Sequence, residues 1–192
     1  IWEIAEFEIY GNGYAPFSNY ISNVIDLGGL ASLGELSWEG TLDTDAQVEL
    51  SMRSGLDDDP NLYWRSTFRG SERTRFDANG RPLTRSSYNK LQRGEQAGLT
   101  HDTENWAFWG AAYDFLEGRG RMIGDGPQRY IQLRAEFSSN AVASSTLNYV
   151  QFSVSIPPVA TGALAEIVPN RAPPGQITDF TYKIRPTLQN GD

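Results

Sequence analysis

The chain of 192 residues has no cysteine and a single histidine. Without cysteine it can form neither a disulfide framework nor a cysteine-ligated zinc site. No apolar run approaches the roughly 20 residues that a membrane-spanning helix needs. The first ten residues contain three glutamates, where a signal peptide would have a basic region. The sequence therefore predicts a soluble, folded chain that does not insert into a membrane.

Clusters of basic residues are also lacking. Residues 1–64 contain twelve acids and one base, whereas residues 65–125 contain ten bases and eight acids. Binding to nucleic acid through counterion release requires a basic face, and neither region supplies a lysine-rich stripe. We expect no nucleic acid partner. The net charge of −8 indicates a solvated, non-adhesive surface.

The commonest pattern in the sequence is alternation of apolar and polar residues, which is typical of half-buried β-strands. Further strand candidates, rich in β-branched and aromatic residues, lie at residues 2–10, 19–27, 34–40, 61–67 and 178–186. No window has the pattern of an amphipathic helix of three turns. The sequence predicts an all-β fold, an antiparallel β-sandwich of the jelly-roll type. The inward-facing sets are Val48, Leu50 and Met52; Ile131, Leu133, Ala135 and Phe137; and Val150, Phe152, Val154 and Ile156.

Three segments are predicted. Residues 1–156 form the β-sandwich, with a long ordered insertion at about 65–125 that is rich in Gly and Arg. Residues 157–175 contain five prolines and are typical of an interdomain linker. Residues 176–192 supply one strand, which cannot be stable alone. We expect it to begin a following immunoglobulin-like domain, incomplete because the chain is a piece of a larger polypeptide, or to pair with a partner.

A family resemblance is carried by three stretches in order along the chain. They are "YISNVIDLGGLASLGELSWEG" (20–40), "QVELSMRSG" (47–55) and "RYIQLRAEF" (129–137). Together they resemble the discoidin or coagulation-factor type C domain, a galactose-binding-like jelly roll. The stretches "RSG…DDDPNLYW" and "PQRYIQLRAEF" are similar to recurring motifs in modules of large bacterial secreted proteins. The resemblance implies an extracellular or cell-surface module. It transfers no ligand-binding residues to the insertion.

The acidic stretch "SGLDDDPNLYW" is a candidate calcium loop. Asp57, Asp59 and Asn61 have the spacing of the first EF-hand ligands, but Leu62 and Phe68 replace the required glycine and glutamate. The EF-hand interpretation fails. A solvated turn explains the aspartates and the proline, and a structural calcium site of another kind remains the alternative. No other cofactor is expected.

Catalysis finds little support in the sequence. His101 is followed by Asp102, but no nucleophile motif accompanies them. Glu3, Glu6 and Glu8 form a solvent-facing row on a predicted strand, whereas a general acid needs a dry pocket. We therefore predict that the chain is not an enzyme.

Aromatic residues crowd into ten positions of the insertion. One interpretation makes them a small core that holds the insertion on the β-sandwich, because a long loop without cysteine needs apolar anchors. The alternative makes Trp106, Trp109 and Tyr113 a stacking platform for sugars. Exposure of the rings distinguishes the two. The five residues are Trp106, Phe108, Trp109, Tyr113 and Phe115.

Three functions are consistent with these features. The first is a non-catalytic structural, adhesive or assembly module of a larger bacterial surface protein, with neighbouring domains or subunits as partners. The second is a carbohydrate-binding module that uses the insertion aromatics. The third is a filament subunit in which residues 176–186 complete a neighbour's sheet by β-strand addition.

Overall fold

The computed structural model describes residues 13–140, 142–158, 160 and 162–188. Within them one short helix, α1, spans Arg85–Asn89, and a 3₁₀ turn spans Phe115–Glu117. The strand predicted at residues 2–10, with Glu3, Glu6 and Glu8, lies outside the described residues. The strands are β1 (Phe17–Ile21), β2 (Ile25–Leu42), β3 (Ala46–Gly55), β4 (Asn61–Ser66), β5 (Arg73–Thr74), β6 (Gln96–His101), β7 (Arg119–Arg121), β8 (Gln128–Ser139), β9 (Ser145–Ser155), β10 (Gly162–Val168) and β11 (Thr181–Thr187).

The prediction of an all-β, antiparallel protein is confirmed. β8 is the central strand of one group: it pairs with β3 on one side, and with β1 and the start of β2 on the other. Leu50 lies opposite Ala135, and Met52 opposite Leu133, so the apolar residues of both strands share a face. No helix in the described ranges is long and apolar enough to cross a membrane.

The 18-residue strand β2 connects two groups of strands. Its first part pairs with β8, where Ile25 lies opposite Ile131. Its second part pairs with β9 and β7, and Leu36 lies opposite Phe152. The register with β8 shifts between Asp26 and Ala31, and from Ser32 onward β2 pairs with β9. One strand therefore contributes to both groups of strands.

The apolar faces of the two groups meet in one core. Val48 and Leu133, predicted to face inward, are buried there, and Phe152 packs against them half-buried. Alternation placed these residues correctly because one face of each strand packs on the core. The other face of β3 and β8 is partly covered by the insertion, where Arg53 and Arg134 contact Trp109. The buried members are Leu36, Trp38, Val48, Leu50, Met52, Phe115, Met122, Ile131, Leu133 and Ala135.

The predicted insertion contains regular structure. β4 pairs with β5 and β6 in a separate three-stranded sheet. Tyr63, Leu83 and Tyr88 form a second, small core beside it. Thr84 caps α1 through a capping box with Ser87, which fixes where the helix starts. The region is thus folded around its own apolar residues.

The proline-rich segment differs from the predicted linker. Residues Gly162–Val168, which contain no proline, form β10 and pair along their whole length with β11. The strand predicted within residues 176–192 therefore folds back onto its own chain instead of standing alone. We call this two-stranded unit the β10–β11 ribbon.

An exposed ion pair lies beside the register shift in β2. The guanidinium of Arg129 donates from Nε and Nη2 to the two carboxylate oxygens of Asp26, each at 2.9 Å. The amide of Gly28 donates to the same carboxylate at 2.8 Å. These bonds lower the pKa of Asp26 from 3.8 to about 2.

Replacing Asp26 by asparagine is expected to remove a pH-dependent contribution to the free energy of unfolding. Because the folded pKa lies below the unfolded one, the contribution is present above pH 3.8 and is lost as the pH falls to about 2. NMR titration of the Asp26 carboxyl carbon measures the pKa directly. A value at or above 3.8 would contradict the ion pair.

Candidate binding surfaces

Residues 105–113 of the insertion lie along the outer edge of β3. The amides of Ala107 and Gly110 donate to the carbonyls of Ser54 and Met52 at 3.0 and 2.9 Å. The amide of Tyr113 donates to the Leu50 carbonyl at 2.9 Å. These bonds satisfy part of an edge that would otherwise be open. The aromatic residues of the segment are positioned by this alignment.

Trp106 is the deepest of these aromatics, with 3% of its surface exposed. Its indole Nε1 donates to the Asp57 carboxylate at 2.8 Å. Gly55 lies directly under the ring, because a Cβ at that position would overlap the indole. The ring has no free face for a sugar. Its position supports an anchoring role.

Trp109 and Tyr113 occupy two different environments. The Trp109 ring is half-buried, with the guanidinium carbons of Arg53 and Arg134 at 4.5 and 4.8 Å from its centroid. Tyr113 packs on Trp38, with ring centroids 5.5 Å apart, and burial raises its pKa. The three residues predicted as a platform therefore do not share one open face. Phe108, which was not included, is 70% exposed.

The carboxylates of the candidate calcium loop accept hydrogen bonds from groups of the protein. Asp59 accepts from the backbone and side-chain nitrogens of Asn61, each at 3.1 Å, and from the Tyr63 hydroxyl at 2.6 Å. Asp57 accepts from Trp106. No group of three or more metal-binding side chains occurs in the described part of the chain. The acidic stretch builds a turn and holds the insertion.

His101 and Asp102 are sequence neighbours with separate partners. His101 Nδ1 lies 3.2 Å from a guanidinium nitrogen of Arg53, and Nε2 lies 3.0 Å from the Trp106 carbonyl. Burial raises the pKa of Asp102, but hydrogen bonds from Asn105 and Glu104 outweigh it and lower the pKa. The side chains brace the insertion.

The β10–β11 ribbon has one apolar face. All fourteen of its strand residues are exposed. Residues opposite one another in an antiparallel pair share a face, so Ile167 and Tyr182 lie beside Ala165 and Ile184. Ala163 and Pro186 complete this face. The opposite face is mixed: it contains Glu166, Lys183 and Arg185 together with the exposed Leu164 and Val168.

An apolar groove opens between β1 and β9. Its volume is about 390 Å³, and the core residues Leu50 and Leu133 form its floor. Tyr20 and Tyr149 stand at its two sides. Among the described strands, β1 pairs only with β8 and β9 only with β2. We call this surface the β1–β9 groove; both of its flanking strands have an edge that no described strand pairs with.

The fold and these surfaces define an all-β protein with antiparallel sheets. No family model, no curated protein and no solved structure matches the chain. The resemblance to discoidin-like modules and the jelly-roll assignment therefore stay predictions.

Proposed function

We propose that the chain is a non-catalytic structural module of a bacterial extracellular or cell-surface assembly, built on a jelly-roll β-sandwich. Its copies associate head to tail, with the β10–β11 ribbon of one copy in the β1–β9 groove of the next. The observation that carries the proposal is the uncovered apolar face of the ribbon. The sequence resemblance to secreted bacterial modules supports the extracellular setting.

The ribbon needs a covering surface. A two-stranded hairpin is at best marginally stable in water without packing against something else. Its apolar face, with Ile167, Tyr182 and Ile184, is exposed to solvent along the whole ribbon. Contiguous apolar surface of this kind marks an interaction site.

The β1–β9 groove suits the ribbon in shape and chemistry. Its floor is apolar, and it is flanked by strand edges that can accept backbone hydrogen bonds from an added strand. Ribbon and groove are different surfaces of one chain. Contacts between different surfaces repeat in one direction and generate a ring or a filament. Because β11 pairs with β10, the prediction that residues 176–186 alone complete a neighbour's sheet is abandoned, and the proposal is addition of the whole ribbon.

Charge favours a second copy as the partner. Residues 162–188 contain three bases and two acids, whereas residues 13–158 contain 18 acids and 13 bases. A ribbon with a slight positive charge is attracted to the acidic body of another copy. We therefore commit to self-association and not to a basic or strongly acidic partner.

Two variants with one broken surface each test the arrangement. Ile184→Asn disrupts the ribbon face, and Tyr149→Asn disrupts the groove. Each variant alone should be monomeric, whereas the wild-type mass should rise with concentration. An equimolar mixture should give a dimer and no larger species, because one intact ribbon meets one intact groove. Sedimentation velocity and light scattering measure these masses.

Leu164→Asn is the matched control, since Leu164 is 72% exposed on the other face of the same ribbon. This variant should assemble like the wild type. A wild-type chain that stays monomeric at about 1 mM, where even weak association of about 4 kcal/mol is populated, overturns the proposal. If Tyr149→Asn alone still associates while Ile184→Asn is monomeric, the contact runs from ribbon to ribbon and the head-to-tail arrangement is overturned.

A further inference from the structure

A second cleft lies at the far end of β3, where the insertion meets the turn before β8. Its volume is about 500 Å³, within the roughly 300–1,000 Å³ range of small-ligand sites. Three chain segments that are distant in sequence build it. We call it the Ser54 cleft; its lining includes Ser54, Leu56, Glu104, Phe108, Asp125 and Gln128.

The hydroxyl of Ser54 is the unusual feature of this cleft. Ser54 is 2% exposed, and its Oγ has no hydrogen-bond partner in the described part of the chain. Its backbone carbonyl is satisfied by the amide of Ala107 at 3.0 Å. Buried hydroxyl groups nearly always have a partner, because leaving one unpaired is costly. Because Ser54 lines the cleft, a water molecule or a ligand group that enters it can supply the missing partner.

Other polar groups of the cleft are also uncommitted. Within the described ranges, the side chains of Glu104, Asp125 and Gln128 make no hydrogen bond or ion pair. The two carboxylates accept hydrogen bonds, and the amide of Gln128 both donates and accepts. The cleft thus presents donors and acceptors that are not used in folding.

An apolar wall stands beside these polar groups. Phe108 is 70% exposed and Leu56 51% exposed, although each lies next to the buried Trp106. A sugar ring combines an apolar face of C–H groups with a rim of hydroxyls. We infer that the Ser54 cleft binds a neutral saccharide, with the ring against Phe108 and the hydroxyls bonded to Ser54, Gln128 and the carboxylates.

The lining argues against other ligand classes. No lysine or arginine lines the cleft, so the carboxylates of Glu104 and Asp125 repel anions. A metal ion is disfavoured because no cluster of metal-binding side chains exists among the described residues. The Ser54 hydroxyl and the Gln128 amide can each donate as well as accept a hydrogen bond, as sugar hydroxyls do. An ammonium ion only donates, so a site for it would contain acceptors alone.

Titration calorimetry on the full chain tests the site. The probes are methyl glycosides of glucose, galactose, mannose and N-acetylglucosamine, together with the neutral hexasaccharides of the same sugars. At least one is expected to bind with a Kd of about 1 mM or tighter. Ser54→Ala and Gln128→Ala should each weaken binding by about five- to tenfold, as expected for one lost hydrogen bond.

Two controls separate binding from folding. Ser54→Ala should leave the unfolding midpoint unchanged or raise it, because the hydroxyl has no protein partner. Phe108→Ala should weaken binding, whereas Phe68→Ala, at another phenylalanine that is 70% exposed, should not.

Three results overturn the site. The first is the absence of binding by every probe. The second is binding that Ser54→Ala and Phe108→Ala leave unchanged. The third is a crystal structure grown with the best-binding probe in which only a water molecule bonds Ser54. Spermidine is titrated beside the saccharides, and its binding in the absence of any saccharide binding would assign a cation site instead. None of these results depends on whether copies of the chain associate.

Discussion

Replacing Trp106 by alanine is expected to lower the free energy of unfolding by about 3–5 kcal/mol, as for other buried aromatic residues. The side chain is 3% exposed and packs on Gly55. Its loss also leaves the Asp57 carboxylate without the indole donor at 2.8 Å. Urea unfolding followed by far-UV circular dichroism measures the change. The loss should be large because this buried ring packs the insertion against the end of β3.

Neighbouring positions supply the controls for Trp106. Phe108→Ala, two residues along at a 70% exposed position, should change the unfolding free energy by no more than about 0.5 kcal/mol. Trp106→Phe retains most of the packing and isolates the lost bond to Asp57, which should cost about 1–3 kcal/mol. If Trp106→Ala costs no more than Phe108→Ala, the insertion is held by its backbone contacts with β3 alone.

The aromatic residues of the insertion serve as supports more than as an open surface. Trp106 and Phe115 are buried, and Tyr113 packs on Trp38. Trp109 lies in contact with Arg53 and Arg134, whose guanidinium groups cover the ring. Burial, and secondly the charge of Arg134, lower the pKa of Arg53. The sugar platform proposed from the sequence would need these rings to be free.

The parts of the fold that alternation specifies could be predicted from the sequence. β3, β8 and β9 each have one face on the core, so their apolar residues recur at every second position. The hairpin at the end of the chain could not be predicted in this way. Prolines on both sides of β10 favoured a linker, although residues 162–168 contain none and pair with β11.

The candidate sites were harder to predict, because they depend on contacts between distant segments. The crowding of aromatic residues within ten positions suggested that Trp106, Trp109 and Tyr113 share a surface. In the structure each follows the irregular course of residues 105–113 along β3 and meets a different neighbour. Nothing in the sequence indicated that the Ser54 hydroxyl would be buried without a hydrogen-bond partner. Its burial arises only when residues 103–108 and 124–128 close around the end of β3.

Gly55→Ala is expected to destabilise the chain by about 1–3 kcal/mol, because the new methyl group would overlap the Trp106 indole. The effect should nearly vanish in a Trp106→Ala background, where the cavity accepts the methyl group. The four unfolding free energies then give a coupling of about 1–3 kcal/mol between the two residues.

A second glycine in a strand serves as the control, because it separates the overlap with the Trp106 ring from the general effect of replacing glycine by alanine in a strand. Gly29→Ala, also in a strand, places its Cβ 3.7 Å from Ile156 and should be tolerated. If Gly55→Ala costs the same with and without Trp106, the strain comes from the backbone of β3 and not from the ring. If the coupling appears, the close approach of strand and indole is what fixes the insertion on β3. The Ser54 cleft would then be held in place by this contact, because its lining includes Trp106 and reaches Gln128 at the start of β8. The β1–β9 groove is lined by Leu50 and Leu133 of the same two strands, β3 and β8.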